Sequence, residues 1–291
     1  MKPAAFEYHR PRTLDEALLL LAEHGSEAKP LAGGQSLIPA MNFRLATPSV
    51  LVDLNAIDYL SHITEHAGGL RIGGMTRQRA LERSAAVARQ APLVAATMPF
   101  VAHAAIRTRG TLGGSLAHAD PAAELPAVML ALDARFTLQR QVGSRSVSAF
   151  DFFVGLFTTA IEPGELLVEV DVPGLPPATG VAFQEISRRH GDFALAGAAA
   201  LVSLDGAGRC TRARVALLSL SDRPVVAEHV STTLVGHMPS PEAIRAAADA
   251  AAEHDIDPTS DLHASSAYRR HLAAVLTRRV LERAFADAGT P

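Results

Sequence analysis

Two short glycine segments constrain the fold of this chain more than any other feature of its sequence. The segment LAGGQS holds Gly33 and Gly34, and the segment TLGGS, 80 positions further on, holds Gly113 and Gly114. Glycine adopts positive φ angles easily, and N–H groups that turn inward at such residues form a nest that binds anions. One glycine pair alone is most often a plain turn. Two such pairs, each followed by polar residues, predict a single anionic ligand held from two sides.

The spacing of the glycines indicates which kind of anion could bind. Neither segment matches the dinucleotide pattern G-x-G-x-x-G or the P-loop pattern G-x-x-x-x-G-K-[ST]. No lysine follows either pair, so a triphosphate would lack its usual charged partner. A diphosphate bound by backbone amides and hydroxyl groups fits better, with Ser36 and Ser115 as hydrogen-bond donors.

Composition and length exclude several classes of partner. The 291 residues suffice for two domains, 48% of them are hydrophobic, and the formal net charge is −3. This charge gives no reason to expect nucleic acid or an anionic membrane as a partner. No apolar run reaches the roughly 20 residues of a transmembrane helix, and the N-terminus lacks a signal-peptide pattern, so we expect a cytoplasmic protein.

Few residues of the chain could carry metal or redox chemistry. Cys210 is the single cysteine, which rules out an internal disulfide framework, a thiolate iron–sulfur cluster and a cysteine-rich zinc site within this chain. The 12 histidines do not occur at metal-ligand spacings. We therefore expect no metal site here, and any redox chemistry must use an organic cofactor.

The first 175 residues mix helix and strand signals. Thr13 and Glu16 form a capping-box pattern at the start of a helix that Gly25 would end, and Thr76 is the expected N-cap of a later helix. The other segments are expected in this order: strands over residues 50–55 and 69–74, a helix over 91–106, a helix and a strand between 124 and 139, and a loop over 146–155.

A proline-rich stretch then divides the chain. Pro173, Pro176 and Pro177 mark the boundary, and three strand-like runs separated by polar turns follow, as in an antiparallel meander. Residues 241–254 and 265–288 have the period and composition of helices. Strands followed by helices predict an α+β domain in this part.

Two segments near the glycines place reactive or flat side chains where a ligand could meet them. HADPAAE is either a capped helix start, with Asp120 as N-cap and Glu124 near the positive end of the helix, or part of the ligand site, and the two interpretations are compatible. Phe193 follows the basic segment RRHGD. It lies either in a solvated turn between strands or beside a flat cofactor, to which it would offer its ring.

Four segments together resemble the FAD-binding medium subunit of the molybdenum hydroxylases, a family that includes the carbon monoxide dehydrogenase flavoprotein and the flavin domain of xanthine dehydrogenase. They are AGGQSLIPAMNFRLA, IRTRGTLGGSLAHADPAAELPAVMLALDA, FQEISRRHGDFALAGAAA and DLHASSAYRRHLAAVLTRRVLERA. The resemblance implies an α+β fold with a PCMH-type FAD-binding domain over residues 1–175, in subdomains of about 1–57 and 58–175. A C-terminal α+β domain of an antiparallel sheet and helices would follow over residues 176–291.

The resemblance also implies which residues bind FAD, and none of them is expected to be catalytic. The pyrophosphate would lie between two groups: Ala32, Gly33, Gly34, Gln35 and Ser36 on one side, and Thr111, Leu112, Gly113, Gly114 and Ser115 on the other. The remaining contacts would come from Leu37, His118, Asp120, Glu124, Thr76, Leu167, Gln184 and Phe193. Phe193 would lie beside the isoalloxazine, where relatives often have tyrosine. Gln184–Glu185 stands where relatives often carry a lysine.

The implied function is electron transfer within a complex. A small subunit would carry two [2Fe–2S] clusters and a large subunit the molybdopterin cofactor, in a dimer of heterotrimers (a heterohexamer). Substrate would be oxidised at molybdenum, and FAD on this chain would deliver the electrons to an external acceptor. The alternative is a free-standing FAD-dependent oxidase of the same fold. A flavin-free assembly protein would not need two glycine pairs.

Overall fold

The computed structural model describes residues 1–289, which begin with a small parallel sheet. Its elements follow in the order β1 (Glu7–His9), α1 (Leu14–His24), β2 (Ala28–Leu31), α2 (Leu37–Asn42) and β3 (Val50–Asp53). Strand β3 lies between β1 and β2 and runs parallel to both. The first glycine segment therefore joins the end of β2 to the start of α2.

The predicted capping box of α1 is confirmed. The Thr13 hydroxyl accepts a hydrogen bond from the Glu16 N–H at 3.2 Å, and the Glu16 carboxylate accepts one from the Thr13 N–H at 3.4 Å. Gly25 has φ 52° and ends the helix. These local signals fix the direction in which the chain enters the parallel sheet.

A five-stranded antiparallel sheet occupies the middle of the chain, and a short hairpin accompanies it. The sheet has the spatial order β4-β5-β10-β6-β7, and β8 pairs with β9. These strands are β4 (Ile63–His66), β5 (Gly69–Gly73), β6 (Arg135–Gln139), β7 (Ser144–Ser148), β8 (Phe153–Gly155), β9 (Thr158–Thr159) and β10 (Leu166–Pro173).

Short helices lie between the strands of this sheet. They are α3 (Gln78–Arg83), α4 (Ala85–Gln90), α5 (Pro92–Thr97), α6 (Ala104–Arg107), α7 (Leu112–His118), α8 (Glu124–Ala131) and α9 (Ala149–Phe152). The expectation that Thr76 caps one continuous helix is wrong, because its hydroxyl donates to the His62 carbonyl at 2.9 Å. The chain breaks into α3 and α4 at Ser84, whose hydroxyl accepts from the Val87 N–H and caps α4.

Two other expectations for this part need correction. The helix expected over residues 91–106 is interrupted between α5 and α6, where Ala102 adopts φ 43°. The loop expected over residues 146–155 instead contains the end of β7, α9 and β8. Helix α9 forms because the Ser148 hydroxyl caps it and because Phe152 packs edge-on against Phe136, with ring centroids 4.6 Å apart.

The C-terminal part forms the predicted antiparallel meander and helices. Its strands follow the spatial order β11-β12-β13-β14, and α12 packs against β11 and β12 while α11 packs against α12. The elements are β11 (Thr179–Ser187), β12 (Ala194–Leu204), β13 (Cys210–Leu218), β14 (Val225–Val226), α10 (Glu228–Leu234), α11 (Pro241–His254) and α12 (Ser266–Ala288). Within residues 1–289, no helix is both long and apolar enough to cross a membrane. The predicted α+β fold class is confirmed.

The C-terminal sheet is buried on both faces, and β12 shows this most clearly. Ala199 and Leu201 belong to the same apolar core as the middle sheet and α8, whereas Ala198 and Ala200 belong to a second core beneath α11 and α12. Because successive side chains of a strand point to opposite faces, one strand contributes to both cores. The two parts of the chain therefore share a continuous apolar interior.

Candidate functional site

The fold brings the two glycine segments into direct contact. A Cβ atom added to Gly33 would lie 2.5 Å from the carbonyl oxygen of Arg109, and one added to Gly114 would lie 3.3 Å from the Cβ of Ala32. Real Cβ atoms do not approach backbone oxygens so closely, so glycine is required at residue 33. The first segment thus packs directly against Arg109 and against the start of the second segment.

The glycines achieve this approach in two different ways. Gly34 has φ 72°, as expected for a nest residue, but Gly33, Gly113 and Gly114 do not adopt positive φ. Gly113 and Gly114 instead lie in the first turn of α7, where the sequence predicted a loop. Thr111 caps this helix by accepting a hydrogen bond from the Gly114 N–H at 3.0 Å. A Cβ on Gly113 would lie 2.6 Å from the Gly74 carbonyl oxygen, so packing explains this glycine.

The free backbone donors lie on the first segment. The N–H groups of Leu112 and Gly113 donate to the carbonyls of Thr76 and Gly74, and that of Gly114 is taken by Thr111. By contrast, the amides of residues 33–36 donate to no acceptor in the described part of the chain. Amides without partners beside a positive-φ glycine form the kind of nest that binds a phosphate oxygen. The first segment is therefore the stronger candidate for binding an anion.

A cavity of about 360 Å³ opens beside this nest. Its lining includes Gly33, Gly34, Gln35, Asn55 and Arg109. Arg109 adds a cationic residue to this lining, and Asp53 adds an acidic one. Sequence reasoning missed both Arg109 and Asn55, although Arg109 stands just before the second glycine segment and Asn55 just after a buried strand.

Hydrogen bonds below the cavity hold the two segments together. The Asn55 amide donates to the Ala32 carbonyl at 2.9 Å, and Arg77 donates to the Asn55 side chain at 2.5 Å and to the Arg109 carbonyl. Burial, together with the nearby charge of Arg109, lowers the pKa of Arg77. This network joins Ala32 of the first segment, Asn55 after β3 and the Arg109 carbonyl before the second segment into one polar frame.

Two predicted contacts lie beneath α7 with their side chains buried. The Thr76 carbonyl accepts a hydrogen bond from the Leu112 N–H. Leu167 belongs to the apolar core, and its carbonyl oxygen lies 2.4 Å from where a Cβ on Gly74 would stand. Both residues support the backbone of the second segment. Direct contact of either with a cofactor stays a prediction.

The far end of α7 carries the predicted acidic residues. The Asp120 carboxylate accepts from the Ala122 N–H at 2.9 Å and does not cap α8, whose N-cap is Ala123. Glu124 is the first residue of α8, as expected for an acidic residue near the positive end of a helix. Burial, reinforced by the charge of Asp120, raises the pKa of Glu124 to about 7. His118 is exposed, with its ring 5.1 Å from that of Phe157.

The C-terminal sheet contributes an exposed aromatic ring and a buried carboxyl group. Phe193 lies in the turn between β11 and β12 and is 72% exposed, so its ring is free to contact a cofactor. The same turn is held by Gly191, at φ 85°, which packs against the ring of His103. On β11, Phe183 belongs to the core shared with α8, so Glu185 faces that side and Gln184 faces α12. The structure therefore does not bring Gln184 to the other predicted residues, and its contact with a cofactor stays a prediction.

Potential metal ligands are not clustered. Among residues 1–289, no group of three or more His, Cys, Asp or Glu side chains could hold a metal ion. Cys210 is buried, and burial raises the pKa of its thiol to about 11. The groups assembled here are suited to holding an organic, anionic cofactor by its phosphates.

An α+β chain with a free amide nest, a cavity partly lined by arginine and an exposed aromatic ring has the features of a protein that binds a dinucleotide cofactor. Comparison with known families gives the class more narrowly. Residues 4–175 match the family described as the FAD-binding domain in molybdopterin dehydrogenase, and residues 181–284 match the C-terminal domain of the CO dehydrogenase flavoprotein.

Relatives match over nearly the full length. The chain is 43% identical to the 6-hydroxypseudooxynicotine dehydrogenase complex subunit alpha of Paenarthrobacter nicotinovorans, over 98% of this chain and 96% of the relative. It is 41% identical to the carbon monoxide dehydrogenase medium chain of Afipia carboxidovorans, over 99% of each. The solved carbon monoxide dehydrogenase from Hydrogenophaga pseudoflava superposes with a TM-score of 0.96 at 38% identity, covering 99% of both chains. The chain belongs to the family of FAD-binding medium subunits of molybdenum hydroxylases, and the resemblance read from the sequence is confirmed.

Proposed function

We propose that this chain holds one non-covalent FAD, with its pyrophosphate at the amides of residues 33–36 and the second glycine segment on its other side. The observation that carries the proposal is the row of four unpaired amides at residues 33–36, of which Gly33, Gly34 and Gln35 line a cavity together with Arg109. At Gly33 and Gly114 the chain packs too closely for a side chain, which brings the first segment against the backbone that precedes the second. The chain's residues thus fit a diphosphate, and Phe193 is free to pack against a flat ring system.

The residues of the chain bind and orient the cofactor, and FAD supplies the redox chemistry when it is bound. Amides of the nest and the Arg109 guanidinium would neutralise the phosphate charge. The polar frame of Asn55 and Arg77 holds both segments at a fixed distance, so little ordering is needed on binding. The other predicted contacts, from Leu37 to Phe193, remain part of this proposal.

We further propose that electrons reach this FAD from two [2Fe–2S] clusters on a small partner subunit and leave it to an external acceptor. Substrate would be oxidised at the molybdopterin cofactor of a large subunit. The single cysteine supports this division, because one thiolate cannot ligate a cluster. Two relatives are named a medium chain and a complex subunit, which supports a complex here as well. The dimer of heterotrimers, the division at residue 175 and the cytoplasmic location stay predictions.

Purification of the chain alone and with its two partner subunits would test the function. Acid precipitation should release about one FAD per chain, identified by chromatography. The isolated chain should be reduced by dithionite yet turn over no substrate, and both partners together should restore turnover. FMN, a covalent flavin or no flavin would contradict the proposed cofactor. Oxidation of an organic substrate by the isolated chain, at an ordinary rate of ~1–10³ s⁻¹, would favour a free-standing oxidase.

A further inference from the structure

A carboxylate lies in the wall of the cavity that opens beside the nest. Asp53 ends strand β3, and in the parallel register it pairs with Leu31, which ends β2 two residues before Gly33. The carboxyl ends of parallel strands meet at one edge of a sheet, and ligands of such sheets bind at that edge. Asp53 accordingly lines the same cavity of about 360 Å³ as Gly33, Gly34 and Gln35. A ligand held by the nest therefore also meets an acidic side chain.

Hydrogen bonds fix this carboxylate but do not use all of its acceptor positions. Its Oδ1 atom accepts from the Asn55 N–H at 2.9 Å and from the Asn55 side-chain amide at 2.5 Å. Its Oδ2 atom accepts from the Tyr8 hydroxyl. An ionised carboxylate has about four acceptor positions, two on each oxygen. Within residues 1–289, one position on Oδ2 of Asp53 is thus left for a further donor.

Asp53 keeps its negative charge in these surroundings. Burial by itself would raise the pKa of its carboxyl group, but the hydrogen bonds from Tyr8 and Asn55 lower that pKa below its usual range. The charge of Arg10 acts in the same direction. Arg77, whose charge also interacts with Asp53, donates its hydrogen bond to the Asn55 side chain instead. Asp53 is therefore ionised at neutral pH.

An ionised carboxylate determines which part of a ligand can lie beside it. Phosphate oxygens are repelled by Asp53, whereas the unpaired amides of residues 33–36 and the cationic Arg109 attract them. The position beside Asp53 suits a hydrogen-bond donor. In FAD the diphosphate is flanked by hydroxyl groups on both sides, those of the ribose in the AMP half and those of the ribityl chain in the flavin half. A hydroxyl that donates to an ionised carboxylate makes a stronger hydrogen bond than one that donates to a neutral group.

We propose that Asp53 recognises a sugar hydroxyl next to the diphosphate of the cofactor, accepting its hydrogen bond on Oδ2. The inference rests on the proposed FAD function. Asp53 is then a specificity-determining residue, because the nest binds phosphate of any kind, whereas Asp53 favours a diphosphate that carries a sugar and disfavours a bare one. No covalent bond forms or breaks in this step.

Binding of three ligands to the flavin-free chain tests the proposal, with Asp53→Asn as the variant. The ligands are FAD, ADP and inorganic pyrophosphate, measured by calorimetry in EDTA so that no metal ion bridges carboxylate and phosphate. Asparagine keeps the shape of aspartate, and its amide oxygen can still accept from Asn55. We expect the dissociation constant of FAD to rise at least fivefold, while that of pyrophosphate stays the same or falls because a repelling charge is gone. Asp58→Asn, an exposed residue outside this lining, should bind all three ligands as the wild type does.

ADP identifies which sugar Asp53 contacts. Weaker binding of both ADP and FAD by Asp53→Asn indicates the ribose, and weaker binding of FAD alone indicates the ribityl chain. Unchanged FAD affinity would overturn the proposal. An equal loss for FAD and pyrophosphate would overturn it too, because Asp53 would then only support the nest. Should Asp53→Asn fail to fold, Asp53→Ser gives the same ratio of FAD to pyrophosphate affinity.

The wild-type chain separates failure of this inference from failure of the FAD function. Wild-type protein that binds pyrophosphate but neither FAD nor ADP would refute the cofactor assignment and the sugar contact with it. Wild-type protein that binds FAD, with an Asp53→Asn variant that binds it equally well, would refute the sugar contact alone.

Discussion

At the scale of single residues, Gly33 is important because it has no side chain and so allows a close backbone contact. It stands where the two glycine segments touch, and the nearest atom is a backbone oxygen of Arg109, which cannot rotate away as a side chain could. Gly34, next to it, is needed for the opposite reason, because its φ of 72° is a backbone conformation that glycine tolerates best. Two adjacent glycines thus serve packing and conformation separately.

Replacing Gly33 by alanine should therefore weaken FAD binding. The new Cβ would push the first segment from the Arg109 carbonyl and enlarge the gap that the diphosphate must bridge. We expect the dissociation constant to rise at least tenfold, or about 1.4 kcal/mol, measured by the quenching of flavin fluorescence. Gly206→Ala is the matched control, because Gly206 has no atom within 4 Å of an added Cβ. A Gly33→Ala protein with unchanged affinity would show that the segments do not grip the cofactor.

The ion pair of Arg107 with Glu82 is mostly buried and should therefore contribute to the free energy of unfolding. The Arg107 guanidinium makes two bonds to Glu82 and holds the pKa of that carboxyl group below its usual range. Replacing Arg107 by methionine would leave Glu82 without this partner and should cost about 3 kcal/mol of unfolding free energy. Arg89→Met removes the exposed pair with Glu65 and should cost less than about 1 kcal/mol. Urea unfolding compares the two, and equal losses would contradict the importance of burial.

At the scale of elements, local sequence signals predicted many of the helices and strands. They failed where tertiary contacts determine whether a segment is helical. The capping box of α1, the buried strand β3 and the antiparallel meander all follow from patterns within a few residues. Helix α7 does not, because two glycines disfavour a helix, and it forms on the Thr111 cap and the close approach to Gly74.

The contact between helix α12 and the C-terminal sheet offers a test of how closely these two elements pack. A Cβ on Gly180 of β11 would lie 2.0 Å from the Ala284 carbonyl oxygen, so alanine there must push the helix off the sheet. We expect Gly180→Ala to lose about 1–3 kcal/mol of stability in thermal or urea unfolding. FAD content should remain full, because the change lies on the face of the sheet turned from the glycine segments. Gly155→Ala, whose Cβ would meet no atom closer than 3.8 Å, should behave as wild type.

At the scale of the whole molecule, the continuous apolar core should make unfolding cooperative. Residues of α8 and the middle sheet pack in one cluster with Phe183, Leu201 and Leu218 of the C-terminal sheet. If either part unfolded alone, the other would expose this surface to water. Calorimetry of the chain should therefore give one transition whose calorimetric and van't Hoff enthalpies agree. Two resolved transitions would show that the parts fold independently.

The double burial of β12 also bears on how such a chain can be rearranged by evolution or by design. Its alanines and Gly197 let helices approach from one side and the cofactor-binding part from the other, so each face is shaped for a particular neighbour. A hybrid that joined residues 1–175 to the C-terminal part of a relative would inherit mismatched surfaces along this strand. A hybrid of two relatives is thus expected to fold only when β12 and the residues of α5 and α8 that cover it come from the same parent.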